Sequence, residues 1–205
     1  MTDLICNECG YHYEGKHKCK RGVNNISEYC DVEAIVDIVK NAQLKEYPFE
    51  PYKRIRDRAL LALLASTGLR VMEALSIEKE QIDNQNDVVV IKTVKILKRR
   101  KQPIKKDFPL FKSGIYSELT LMFLAWSERV KKGKLFNISR FMAYRIVNDS
   151  TGKWCHFFRS QRLSYLVNKI RSAAAVANIQ GIAKSSTIDH YLKTDWKQFE
   201  EEMRG

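Results

Sequence analysis

The sequence predicts a mostly α fold with one small antiparallel β-sheet, an α+β architecture. Three observations carry this. The run Ala59-Leu60-Leu61-Ala62-Leu63-Leu64-Ala65 is apolar on all sides, as in a helix buried at the centre of a domain. Two strand-like stretches, Asp87 to Val94 and Gln102 to Leu110, flank a turn dense in lysine and arginine. From Asp31 onward most of the remaining chain carries helical spacing of its apolar residues, with no internal repeat and no low-complexity tract.

Residues 1–30 differ from the rest. They are rich in Cys, His, Lys and Gly, poor in aliphatics, and close on the linker-like Asn24-Asn25-Ile26-Ser27. Residues 31–205 form the main domain. Its first helix begins at Asp31, a candidate N-cap, and sets Val32, Ile35, Val36, Ile38 and Val39 on one broad face. Pro48 and Pro51 interrupt it, and Arg54 to Ser66 is the central helix. Gly68 breaks that helix and another starts near Arg70. After the two strands, Ser117 to Val130 is amphipathic, with Leu119, Met122, Phe123 and Trp126 inward. Helices follow over Ser139 to Val147, Phe157 to Ile170, Ala173 to Ala183 and Thr187 to Met203, the last capped by Ser186.

A net charge of +12 over 205 residues favours a polyanionic partner, nucleic acid first and an acidic membrane surface second. No apolar run approaches a membrane span and no signal peptide opens the chain, so an intracellular, non-membrane protein is expected. In a reducing compartment the five cysteines read as metal ligands or free thiols rather than disulfides. Cys6-Asn7-Glu8-Cys9 is a Cys-x-x-Cys knuckle, and the best tetrahedral set for a structural zinc is Cys6, Cys9, His17 and Cys19. His12 or Cys30 can replace His17 in that set. Lys16, Lys18, Lys20 and Arg21 crowd the same segment, so a zinc-stapled basic module would suit phosphate-backbone binding. The plain alternative is a basic tail with incidental cysteines.

The chemistry-bearing residues stand in a particular order. Thr67-Gly68-Leu69-Arg70-Val71-Met72-Glu73-Ala74-Leu75 comes first, then the basic Val94-Lys95-Ile96-Leu97-Lys98, then His156-Phe157-Phe158-Arg159, and finally Tyr191. Arginine's planar fork can hold two nonbridging oxygens of a phosphodiester and keeps its charge throughout. Glu73, three residues after Arg70, can orient a neighbouring basic group. His156 and Arg159 lie one helical turn apart and project to one face. Each residue alone has an ordinary reading: an ion-paired helix start, a solvated lysine, a half-buried tyrosine. It is the order and spacing that point to a site.

This set resembles the catalytic domain of the tyrosine recombinases, the phage integrase and Xer family, over roughly Asp31 to Trp196. The resemblance implies that family's catalytic-domain fold and the cleavage and rejoining of double-stranded DNA through a 3′-phosphotyrosyl link. It implies Tyr191 as nucleophile, Arg70 and Arg159 as the phosphate clamp, and His156 as the proton-transfer partner of Tyr191. Val94 to Ile104 aligns without a gap on the family's hairpin pattern Gly-Lys-Gly-x-Lys-x-Arg-x-x-Pro-Leu, which makes Lys95 the acid for the leaving 5′ oxygen and Lys98 the fallback. It also implies a homo-tetramer on paired DNA sites and no cofactor for the chemistry. The chain departs from the pattern in three places. The turn glycines are missing, Ile182 stands where the family carries His or Trp (with Lys184 as a possible substitute), and the short cysteine module stands where the family has a helical core-binding domain. A site-specific recombinase or integrase is therefore the first expectation. A catalytically degenerate DNA-binding regulator and a type IB topoisomerase-like nickase are the alternatives.

Overall fold

The computed structural model describes residues 4–5, 12–13, 31–95, 104–180 and 182. Near the N-terminus, β1 (Leu4–Ile5) and β2 (His12–Tyr13) pair antiparallel, Leu4 opposite Tyr13. The expected zinc ligands Cys6, Cys9, His17 and Cys19, and the alternative Cys30, lie outside the described residues. So does the predicted helix over Thr187 to Met203.

Helix α1 (Val32–Lys40) buries Val32, Ile35, Val36 and Val39, as its spacing predicts. The Asp31 side chain makes no capping hydrogen bond, contrary to expectation; its backbone carbonyl accepts from the Ile35 N–H at 3.1 Å instead. Helix α2 (Tyr52–Thr67) starts earlier than predicted, because Pro51 already sits at helical angles and its fixed φ suits a helix start. Leu60, Leu61, Leu63 and Leu64 are wholly buried, each contributing about 2 kcal/mol through lost apolar hydration. Short α3 (Val71–Leu75) follows, separated from α2 by Gly68 in the left-handed conformation (φ +67°).

Three antiparallel strands lie in the order β3 (Ile82–Asn84), β4 (Val88–Lys95), β5 (Ile104–Phe111). The β4–β5 hairpin runs in register from Val88 opposite Phe111 to Lys95 opposite Ile104. Val89, Ile91, Phe108 and Leu110 turn inward onto the core. The sequence did not announce β3, whose Ile-Asp-Asn composition is poor for a strand. Its pairing against β4 imposes the conformation, helped by the cross-strand Lys92–Asp83 ion pair at 2.9 Å.

The remaining helices are α4 (Ser117–Ser127), α5 (Arg140–Thr151), α6 (Cys155–Ile170) and α7 (Ala173–Gln180). In α4, Leu119 and Phe123 are fully buried, while Met122 and Trp126 pack at the core's edge. Ser139 caps α5 by accepting from the Met142 N–H at 3.1 Å, and Gly152 ends it with φ +64°. Helix α2 packs against α1, α3, α4, α5, α6 and β5, so it is central, as its apolar sequence predicts. A smaller cluster of Leu163, Val167, Val176 and Ala177 joins α6 to α7. Among the described residues no helix is long and apolar enough to cross a membrane.

Candidate active site

The site is built where the C-terminal end of α2 meets the N-terminal turn of α6. Thr67 ends α2 and Gly68 takes the left-handed cap, its N–H returning to the Leu64 carbonyl at 3.0 Å. A Cβ at Gly68 would lie 3.0 Å from Arg162 Cβ and 3.1 Å from Arg162 Cγ, so α2 and α6 approach this closely only over glycine. The Gly68 carbonyl, freed by the turn, accepts from Arg159 Nη1 at 2.6 Å. The preceding carbonyl, of Thr67, accepts from Gln180 Nε2 on α7 at 3.1 Å. Arg159, only 2% exposed, is thus fixed to the same turn that delivers Arg70.

Arg70 is the extended residue leading into α3. Glu73, one turn on, takes the Arg70 backbone N–H at 2.9 Å and its Nη1 at 3.1 Å. The carboxylate therefore both caps α3 and aims the guanidinium, the orienting role that the spacing suggests. Arg70 remains about half exposed, open to an incoming anion.

Arg70, His156 and Arg159 line one cleft of about 290 Å³, together with Leu69, Val71, Met72, Arg140, Tyr144 and Cys155. Three of the five predicted catalytic residues are thereby brought together from two distant segments. Lys95 is placed by its backbone alone, at the end of β4 opposite Ile104. Tyr191 lies outside the described residues, as do the fallbacks Lys98 and Lys184.

The electrostatics of the cleft favour an anion. Three arginines face it against the one carboxylate, Glu73, that holds Arg70. His156 keeps an open edge and packs near Trp154, with ring centroids 5.8 Å apart. Desolvation of the imidazole, then the charges of Arg159 and Arg70, lower its pKa, so it stays neutral and can accept a proton near neutral pH. Burial pushes the Cys155 thiol up to about 12, which keeps it protonated and leaves the cleft without a thiolate nucleophile.

Ile182, at the position where a histidine or tryptophan was the expected pattern, packs partly buried against the Leu163, Val167, Val176 and Ala177 cluster. Its N–H returns to the Ala177 carbonyl at 2.8 Å and closes α7. The sequence reading also missed Arg140 and Tyr144. One signal was available: Arg140 is a cation in the first turn of a helix, where the helix dipole disfavours positive charge.

A model of the phage integrase family matches residues 30–198. Tyrosine recombinase XerC of Rickettsia canadensis (strain McKiel) is 27% identical over 170 residues, 78% of this chain and 54% of its own. XerC of Rickettsia massiliae (strain Mtu5) is 26% identical over 173 residues, 80% of this chain and 55% of its own. The chain spans about half the length of these curated relatives. Among solved structures, XerH site-specific recombinase bound to difH substrate, a pre-cleavage complex, superposes with TM-score 0.61 at 19% identity over 84% of this chain and 51% of that one. XerA recombinase does so with TM-score 0.59 at 14% identity over 89% of this chain and 65% of that one. The fold, an antiparallel sheet beside a mainly helical domain, is theirs, and with the family model matching well over half of its length the chain belongs to the phage integrase family.

Proposed function

We propose that this chain is a site-specific DNA recombinase or integrase that cleaves and rejoins double-stranded DNA through a 3′-phosphotyrosyl intermediate. The observation that carries the reading is the convergence of Arg70, His156 and Arg159 on one cleft from segments far apart in sequence. The names of the relatives, tyrosine recombinases, support it.

In the proposed reaction the Tyr191 oxygen attacks the scissile phosphorus and its proton passes to neutral His156. Arg70 and Arg159 each donate to a nonbridging oxygen and stabilise the extra negative charge of the pentacoordinate state. The bond to the 5′ oxygen breaks, and Lys95 at the end of the β4–β5 hairpin supplies that oxygen's proton. The phosphotyrosyl link conserves the phosphodiester bond energy, so rejoining is the reverse displacement by a 5′ hydroxyl and needs no cofactor. Four protomers acting on two duplexes would complete strand exchange. Residues 31–205 form the catalytic domain in this reading. Residues 1–30 form a basic module in which Cys6, Cys9, His17 and Cys19 hold a structural zinc and which adds backbone contacts to DNA.

A second reading is favoured by Ile182. Its side chain packs on apolar neighbours and has no donor for a phosphate oxygen. Loss of one such donor typically costs about 2–4 kcal/mol of transition-state stabilisation. A degenerate DNA-binding regulator would fit that loss.

Nicked suicide duplexes carrying the DNA that flanks this gene test the assignment. A denaturation-resistant protein–DNA adduct that disappears in Tyr191→Phe is expected. Intact DNA binding with no adduct on any duplex would support the regulator. An adduct accompanied by supercoil relaxation, without exchange between two sites, would indicate a topoisomerase-like nickase.

A further inference from the structure

We propose that Arg140 and Tyr144 form a second phosphate site, which grips the DNA-backbone phosphate adjacent to the one held by Arg70 and Arg159. The proposal rests on the DNA-cleaving reading above and names two residues which that reading does not use.

Both side chains come from α5 and line the same cleft as Arg70, His156 and Arg159. They reach it because α5 packs against both α3, which follows directly on Arg70, and α6, which carries His156 and Arg159. Arg140 also lies close enough for its charge to act on Cys155, the residue preceding His156. A ligand seated on the catalytic arginines is therefore continuous with Arg140.

The pairing of Arg140 differs from that of several other cations. Arg70 is neutralised by Glu73, Arg56 by Asp57, Arg54 by Glu46 and Lys92 by Asp83. Among the described residues no carboxylate pairs with Arg140. Its Nη2 donates to the Tyr144 hydroxyl at 3.1 Å, and its guanidinium carbon stands 5.2 Å from the centre of the same ring. A neutral phenol fixes the fork without cancelling its charge. The remaining N–H groups are then preorganised for a planar, bidentate acceptor, and little side-chain entropy is lost when one arrives. Phosphates recur along a DNA strand every ~3.4 Å of helix axis, so a backbone lying along the cleft presents a second one beside the scissile group.

The test is salt-dependent binding to a 30-base-pair duplex of mixed sequence, measured for wild type, Arg140→Ala, Arg140→Lys and Tyr144→Phe. Arg140 is exposed, and melting curves would confirm that each variant folds. Arg140→Ala is expected to bind roughly tenfold more weakly, with the slope of log affinity against log salt reduced by about one. Arg140→Lys should restore the slope, and Tyr144→Phe should fall between Arg140→Ala and wild type. An unchanged slope and affinity in Arg140→Ala would overturn the site. So would a loss confined to particular sequences, which would mean base reading. Because this readout needs no cleavage, a missing adduct alongside a reduced slope would reject the cleavage reading alone. On any duplex that does yield an adduct, a neutral methylphosphonate next to the cleaved bond should slow wild type and leave Arg140→Ala unaffected. Equal slowing of the two proteins would overturn the proposed position.

Discussion

Gly68→Ala is the sharpest test of how the site is assembled, because the effect separates into two parts. Gly68 sits at φ +67°, where a Cβ crowds its own backbone and costs about 1–2 kcal/mol. The added methyl would also stand 3.0 Å from Arg162 Cβ and 3.7 Å from Arg159 Cα. The first of these belongs to the fixed stem of its side chain, so relief requires α6 to move by a few tenths of an ångström, an overpacking cost of about 1–2 kcal/mol. The total is about 2–4 kcal/mol, which lowers the melting temperature of a domain this size by roughly 4–16 °C. Gly152→Ala is the internal control. Gly152 closes α5 at φ +64°, but nothing lies within 4 Å of the position its Cβ would occupy. Only the strain of about 1–2 kcal/mol should appear there. Urea unfolding of the two variants gives the difference directly. Gly68→Ala should also lose cleavage well beyond its loss of folded protein, since Arg159 Nη1 hangs from the Gly68 carbonyl and moves with α6. Equal destabilisation of the two variants would refute the close approach of α2 to α6. Full cleavage by folded Gly68→Ala would refute the role of that approach in setting Arg159.

Three further outcomes follow from the structure. His156 has a folded pKa below its ordinary 6.5, so below that pH the unfolded chain binds the extra proton more readily and this group's contribution to stability is lost. A bound phosphate reverses the sign: it raises the pKa, DNA binding takes up a proton, and affinity should strengthen as pH falls toward 6, a trend that His156→Gln should abolish in a binding titration. Asp57 is 1% exposed and accepts from Tyr47 at 2.7 Å and from Arg56 at 2.6 Å; Asp57→Asn should cost about 3 kcal/mol in urea unfolding, because Arg56 would keep its partly buried charge without a carboxylate. The purified chain should carry one zinc by elemental analysis, and Cys9→Ser should lose it without lowering the cooperative unfolding of residues 31–205; wild-type protein that takes up no zinc would remove the metal from the proposal.

What the sequence made legible followed from how strongly each segment constrains itself. The leucine-rich run of α2 has no polar face, so only a central helix suits it, and it is central. The valine and isoleucine run of β4 was legible because β-branched residues favour a strand, and the basic turn between it and β5 pointed to a hairpin. Strand β3 was illegible for the opposite reason. Asp83 and Asn84 have no strand preference of their own, and their conformation comes from the edge that β4 offers. The same division holds in the site. Glu73 was readable as a partner for a basic group because helix geometry fixes a residue three positions on. The contact of Gly68 with Arg162 was not readable, since it depends on where α6 lies.

Arg140 shows why a pattern of residue types finds part of a site and leaves the rest. Arg70, His156 and Arg159 are recognisable because the order of their segments matches a known arrangement. Arg140 is one of 36 lysines and arginines in the chain, and no motif surrounds it. What distinguishes it is the company it keeps in space, a phenol where Arg70, in the same cleft, has a carboxylate. Ile182 gives the converse case. The sequence presents it as a missing donor, and the structure gives its side chain another role, closing the α6–α7 cluster beneath the turn that Gln180 holds. In the proposed reaction Ile182 offers no donor to the phosphate, while Arg140 adds a third arginine to the cleft that Arg70 and Arg159 line. Binding and cleavage should therefore respond differently to Arg140 and to Ile182: the first through the salt dependence of affinity, the second through the rate of adduct formation.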